Sequence, residues 1–152
     1  DFVREIIEQA AIVYNSKKSG ILELGGGVPK NTAQQTGPLL DQILRKDHGG
    51  QNYIIQITDA RPDTGGLSGA TLQEGKSWGK VHDSHEDLIT VYTDSTIAFP
   101  ILALYVLSNE EPREPKRIYR NLGKYYDTLQ ESAIKTPDKF AEILKKSNIN
   151  ID

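Results

Sequence analysis

Lys80 is the residue of this chain whose neighbours most invite chemistry. It closes the run Ser77-Trp78-Gly79-Lys80, which sets an amine beside a large aromatic ring. A lysine is a nucleophile only in its neutral form, and that form needs desolvation or a nearby cation. Lys76 stands four residues earlier, one turn away if both lie on a helix, where its charge would favour the neutral amine. Two solvated surface lysines would show the same spacing. Glu74, Asp59 and Asp63 add acidic charge to this stretch, which suits a polycationic ligand and equally a plain solvated loop. The second candidate is Gly25-Gly26-Gly27, where a backbone without Cβ atoms lets a ligand approach closely and turns amides toward it. A turn needed only for tight strand-to-helix packing would look the same, and the spacing G-x-G-x-x-G is absent. Asp94 follows an apolar run and suits either ribose hydroxyls or the cap of a helix.

These residues need elements to position them. Phe2, Val3, Ile6, Ile7, Ala10, Val13 and Tyr14 recur at three- and four-residue spacing, predicting an amphipathic helix stopped by Ser19-Gly20. A strand follows over Ile21 to Leu24. After the glycine turn, Leu39, Leu40, Ile43 and Leu44 mark the inner face of a second helix that ends around His48-Gly49-Gly50. Tyr53 to Ile57 is the second strand. An Asp-, Pro- and Gly-rich loop runs from Thr58 to about Gly66, after which Ser68 could cap a helix carrying Leu72, Trp78 and Val81. Leu88 to Thr93 is the third strand. Thr96 to Leu107 reads as too apolar for a surface helix and contains Pro100, so a buried, kinked helix is expected there. Glu110 to Lys116 is a connector before a Tyr-rich helix, and Thr136-Pro137-Asp138 carries the start signals of a last helix.

Successive strand-then-helix units imply parallel pairing with right-handed crossovers, hence a doubly wound, mostly parallel α/β sheet of Rossmann-like type. Ligands of such sheets lie beyond the carboxyl ends of the strands, which singles out the loops Gly25 to Lys30, Thr58 to Gly66 and Thr93 to Thr96.

At 152 residues, 37% hydrophobic and 26% charged, the chain has the composition of one globular domain. Cysteine is absent, which excludes a disulfide framework, a thiolate metal site and a cysteine nucleophile, and three histidines make a metal cluster a poor expectation. The net charge of −3 offers no basic field for a phosphate backbone, so nucleic acid is not an expected partner. No apolar run reaches the roughly 18 residues of a membrane span. Methionine is also absent and the chain opens Asp1-Phe2-Val3, so a fragment or a proteolytic product, with a missing N-terminal partner, is expected.

Leu24-Gly25-Gly26-Gly27-Val28-Pro29-Lys30, Ser77-Trp78-Gly79-Lys80 and Tyr92-Thr93-Asp94-Ser95-Thr96-Ile97-Ala98-Phe99-Pro100, in this order and spacing, resemble deoxyhypusine synthase over about positions 20 to 107. The resemblance implies an NAD-dependent aminobutyltransferase: spermidine is oxidised, its four-carbon fragment passes through an enzyme-lysine imine, and a lysine of the translation factor 5A precursor receives it as deoxyhypusine. It implies that Lys80 forms the imine and that Glu74 and Trp78 surround the amine. Gly65 and Gly66 fall on its substrate loop. Gly26, Thr58, Asp59, Ala60, Thr93, Asp94 and Ser95 occupy the positions that meet NAD.

The chain departs from the eukaryotic pattern. Asn31-Thr32 and Gln35 stand where a histidine pair and an asparagine follow the glycines, so Asn31 and Gln35 are the expected substrate contacts. Asn31 cannot titrate near neutral pH, and any acid–base duty of the histidine is lost or moved. Leu67 stands where a substrate-loop acid is usual. The form Lys30 to Thr36 resembles the deoxyhypusine synthase-like branch of bacteria and some protists. Family members are about twice this length, so residues 1–152 would be the C-terminal part of a larger NAD-binding catalytic domain. That part would be inactive until joined to the N-terminal half in a cytoplasmic homo- or hetero-tetramer. Two other functions fit the same residues: transfer to a small amine, as in homospermidine synthases, and a noncatalytic NAD-binding regulatory subunit. Labelled product separates the first, and retention of Lys80, Glu74 and Trp78 argues against the second.

Overall fold

The computed structural model describes residues 2–67, 71–81 and 88–134. Its centre is a parallel sheet of three strands, β1 (Gly20–Leu24), β2 (Tyr53–Thr58) and β3 (Leu88–Tyr92), in the order β1-β2-β3. The strands lie where the runs rich in β-branched residues predict them. Registers pair Leu22 with Ile55 and Ile55 with Ile89, then Glu23 with Gln56 and Gln56 with Thr90.

Alternation along each strand sorts these rows onto two faces. One face carries the rows Ile21–Ile54–Leu88 and Glu23–Gln56–Thr90. Helix α2 (Val28–Gln34) covers it through a Gln34 contact to Glu23, and helix α4 (Leu72–Ser77) through Leu72, which clusters with Ile54, Val81 and Leu88. The other face carries Leu22–Ile55–Ile89 and Leu24–Ile57–Val91, of which Leu22, Leu24, Ile89 and Val91 are exposed.

Helix α1 (Phe2–Tyr14) packs against α6 (Ile118–Ile134). Ala10, Ala11 and Val13 meet Leu40 and Leu129 in a second, all-helical core, and Asn15 Nδ2 donates to the Tyr125 carbonyl to tie the two helices. Past the glycine turn the chain stays helical from α2 through the short α3 (Thr36–Pro38) into a π-turn at Leu39–Ile43. The wider turn changes the expected inner face: Leu40 is buried, whereas Ile43 is exposed.

Two further expectations are corrected. The N-cap of α4 is Thr71, whose hydroxyl accepts from Glu74 N while Glu74 Oε2 accepts from Thr71 N, a reciprocal capping box; Ser68 lies outside the described residues. Helix α5 (Ser95–Asn109), expected to be buried, has no buried residue, and Ile97, Ile101, Leu104 and Leu107 are each at least 60% exposed. Its composition suits a helix covered all round; among the described residues it contacts β2 and leaves Ile97, Ile101, Leu104 and Leu107 uncovered. The helix expected from Thr136 lies outside the described residues.

Candidate active site

Three loops converge at the carboxyl ends of the strands. Gly25 and Gly27 take φ of +88° and +82°, a conformation that favours glycine. Gly26 has a different constraint: a Cβ there would sit 2.5 Å from the Gly66 carbonyl oxygen and 2.9 Å from Leu67 Cδ2. The glycine turn and the Gly65–Leu67 turn are therefore in backbone contact, with Leu67 buried between them. Gly66 in turn packs on Ala60, whose amide donates to Thr58 Oγ1. The Thr58 carbonyl accepts from Thr93 N at 3.0 Å, which brings the third loop alongside. Gly26, Thr58, Asp59, Ala60, Gly65, Gly66, Thr93, Asp94 and Ser95 thus share one edge.

Asp94 caps α5. Its Oδ1 accepts from the amide and the hydroxyl of Thr96, both at 2.7 Å. These bonds, the hydroxyl first, hold the carboxyl below the usual carboxylate range. An exposed anionic acceptor at this edge suits ribose hydroxyls as well as a cap, so both readings of Asp94 are compatible. Nothing in the structure lies within 4 Å of a Cβ placed on Gly25 or Gly27, and no side chain caps the first turn of α2. Space at Gly25 and Gly27, with no side chain capping the first turn of α2, therefore fits a dinucleotide on the glycine turn.

Lys80 is positioned by a different device. Gly79 N donates to the Lys76 carbonyl and Lys80 N to the Gly75 carbonyl, with Gly79 at φ +69°. This pair of bonds is the Schellman stop of a helix. Helix α4 thus ends at Trp78, and Lys80 stands beyond it, so the expected face shared with Lys76 does not exist. Lys80 also lies elsewhere along the sheet than expected. Its carbonyl accepts from Gln51 N, and Val81 bridges to Gln51, two residues before β2 begins. The main chain of Lys80 is at the amino end of the strands, opposite the glycine turn. Trp78 is 65% exposed, and the Glu74 carboxylate serves the Thr71 cap. Asp63 is paired with Arg61 through two bonds of 3.0 Å, which removes one acid from the expected cation-attracting cluster.

What links the two ends is a pair of buried charges that sequence reasoning passed over. Lys30 on α2 and Glu23 on β1 are each at most 5% exposed. Gln34 Nε2 donates to Glu23 Oε1 at 2.6 Å. Burial pushes the Glu23 carboxyl up and the Lys30 amine down, each against the opposing attraction of the other. Both also sense the charge of Lys80. The signal was present: an acid inside an apolar strand, facing a glutamine and a lysine four residues apart on the next helix. The expected contacts differ from this pair. The Asn31 amide donates back to the Gly27 carbonyl at 3.0 Å, and Gln35 is exposed.

The deoxyhypusine synthase family model matches residues 1–106. The chain belongs to the deoxyhypusine synthase family. It is 45% identical over 143 residues to a deoxyhypusine synthase-like protein of Nostoc sp., covering 91% of this chain and 37% of that protein. The corresponding protein of Nostoc punctiforme is 49% identical over 133 residues, 84% of this chain and 34% of the relative. A probable deoxyhypusine synthase 2 of Archaeoglobus fulgidus is 46% identical over 103 residues, 68% and 34% of the two chains. These bear out the likeness to the deoxyhypusine synthase-like branch. The chain spans about a third of the length of the curated relatives it matches. No helix among the described residues is long and apolar enough to cross a membrane.

Proposed function

We propose that this chain is the catalytic segment of an NAD-dependent aminobutyltransferase that moves the four-carbon fragment of spermidine to a lysine of the translation factor 5A precursor. Support comes above all from the run Ser77-Trp78-Gly79-Lys80 in a chain of this family. NAD supplies the hydride acceptor that turns the amine of spermidine into an electrophilic imine. Gly25 and Gly27 leave room for its phosphates, and Asp94, kept anionic by Thr96, accepts from a ribose hydroxyl. Lys80, just past the Schellman stop, would attack the imine carbon with its Nζ, releasing 1,3-diaminopropane. It would carry the four-carbon fragment as an imine until the acceptor lysine takes it and frees the Lys80 amine; return of the hydride from the reduced cofactor would then saturate the product imine. Trp78 and Glu74, which precede it on α4, meet the apolar stem and the charged end of the polyamine. Gly65 and Gly66 lie at the glycine-turn end of the site, where the polyamine would meet the cofactor.

The N-terminal part of the enzyme, longer than the half expected, completes the site in this reading, in a cytoplasmic tetramer. Leu67 favours keeping a second acceptor in view. It is buried where the family pattern places a substrate-loop acid, so the polyamine end of the site has one carboxylate fewer, and a small diamine acceptor is the alternative. The test is borohydride trapping of the full-length protein with labelled spermidine and NAD, followed by peptide mapping. An adduct on Lys80, lost in K80R, is expected, since arginine is not deprotonated in proteins. An adduct elsewhere, or none in a preparation that turns over, removes the mechanism. Label in putrescine instead of the precursor protein would select the diamine reading.

A further inference from the structure

Glu23 is the only charged side chain on the covered face of the sheet among the described residues. It stands in the polar row with Gln56 and Thr90. Its Oε1 accepts from Gln34, whereas Oε2 is buried with no hydrogen-bond partner. Glu23 and Lys30 line the same cavity of ≈ 210 Å³, together with Ile21, Leu24, Gly26 and Ala33. Lys30 and Gln34 are four residues apart on α2 and so share the helix face that meets β1. A buried carboxylate oxygen left open beside a buried amine is poised to take a proton.

We propose that Glu23, oriented by Gln34, is the proton acceptor of Lys30, and that the two form the acid–base pair of this site. The step moves one proton. Because Oε2 has no direct partner, the transfer would be relayed by a water in the cavity both residues line: an N–H bond of the Lys30 ammonium breaks, an O–H bond forms on Glu23 Oε2, and the net charge of the pair stays at zero. Burial penalises both ionised forms, raising the Glu23 carboxyl and lowering the Lys30 amine, and so narrows the gap between the ion pair and the neutral pair. Four groups set the balance: Glu23 and Glu74 favour the Lys30 ammonium, Lys80 opposes it, and Lys30 and Lys80 both favour the Glu23 carboxylate. Gln34 and Gln56 are neutral. Asn31 cannot hold the proton, and its amide is committed to Gly27. The assignment rests on the aminobutyl-transfer reading, because imine formation and exchange require a group that accepts and returns protons.

Two substrate-free measurements on the full-length protein test it. Carbon-13 NMR of labelled glutamate carboxyls follows Glu23 against pH, and trace acetylation with peptide mapping follows Lys30. Glu23 is expected to titrate above the exposed glutamates and to move higher in K30M. The Lys30 midpoint is expected to fall by about one pH unit or more in E23Q, because the ammonium loses its counter-charge. A Lys30 midpoint unmoved in E23Q, or Glu23 titrating with the exposed glutamates, overturns the proposal. Should E23Q not fold, the native Glu23 titration and K30M decide alone. If Lys80 is never trapped while these shifts appear, the transfer reading fails and the pair survives. If Lys80 is trapped as well in E23Q as in the native protein at every pH, the pair is not the acid–base group.

Discussion

A charge held under a sheet is costly, and Glu23 and Lys30 share that cost. Each single truncation strands the other, so K30M alone should destabilise by about 3 kcal/mol relative to the double variant E23L/K30M. The double variant should match or exceed the native protein in urea unfolding. Its advantage depends on pH with a definite sign. Glu23 has its folded-state pKa raised, so its penalty is absent below the ordinary value of 4.5 and grows above it. Lys30 has its folded-state pKa lowered, so its penalty is present at neutral pH and vanishes above the ordinary value of 10.5. The gain should therefore be largest between those values, and a gain independent of pH would refute the assignment of both burial effects. Gly26 makes a second demand at this scale. In G26A the new methyl meets the Gly66 carbonyl, and overpacking of this kind costs about 1–3 kcal/mol. Thermal unfolding should show that loss, and NAD titration should show weaker binding.

At the scale of elements, α4 owes its position to its two ends. T71A removes the hydroxyl half of the capping box and should cost about 1 kcal/mol, read as a lowered Tm. G79A forces a Cβ into a left-handed conformation and should cost about 1–2 kcal/mol at the other end; a Tm equal to native in either variant would mean that the caps do not hold the helix. These ends also mark what the sequence made readable. Strands were plain from Ile54, Ile55 and Ile57 and from Ile89 and Val91, and the three loops at the strand ends followed from the parallel order. The stop at Gly79 carried its own signal, a glycine two residues past the helix, yet the four-residue spacing of Lys76 and Lys80 suggested a continuous turn. The acid of β1 and the glutamine of the next helix each carried a signal, but the ten residues between Glu23 and Gln34 span a strand end, a turn and a helix, so their pairing follows only from the fold. Exposure of α5 was unreadable for another reason: apolar composition reports that a face needs cover, not where the cover comes from.

Across the molecule, the apolar faces left uncovered among the described residues are the main feature. Parallel sheets are buried on both faces, and here the rows through Leu22, Leu24, Ile89 and Val91 and the length of α5 face outward. The 152 residues on their own should bind a hydrophobic dye and self-associate, as measured by fluorescence and light scattering. Adding the remaining two-thirds of a full-length relative should abolish both. A monodisperse, dye-silent preparation of the short chain would contradict this. A last consequence concerns the contact between Gly37 and Gly79. A methyl on Gly37 would lie 2.5 Å from the Gly79 carbonyl oxygen and 3.0 Å from Gly50 Cα. Only hydrogen atoms separate the helical run that leaves the glycine turn from the segment bearing Lys80. The two cannot shift independently, so a distortion entering at either end of this seam spreads to the other, and damage there is never local.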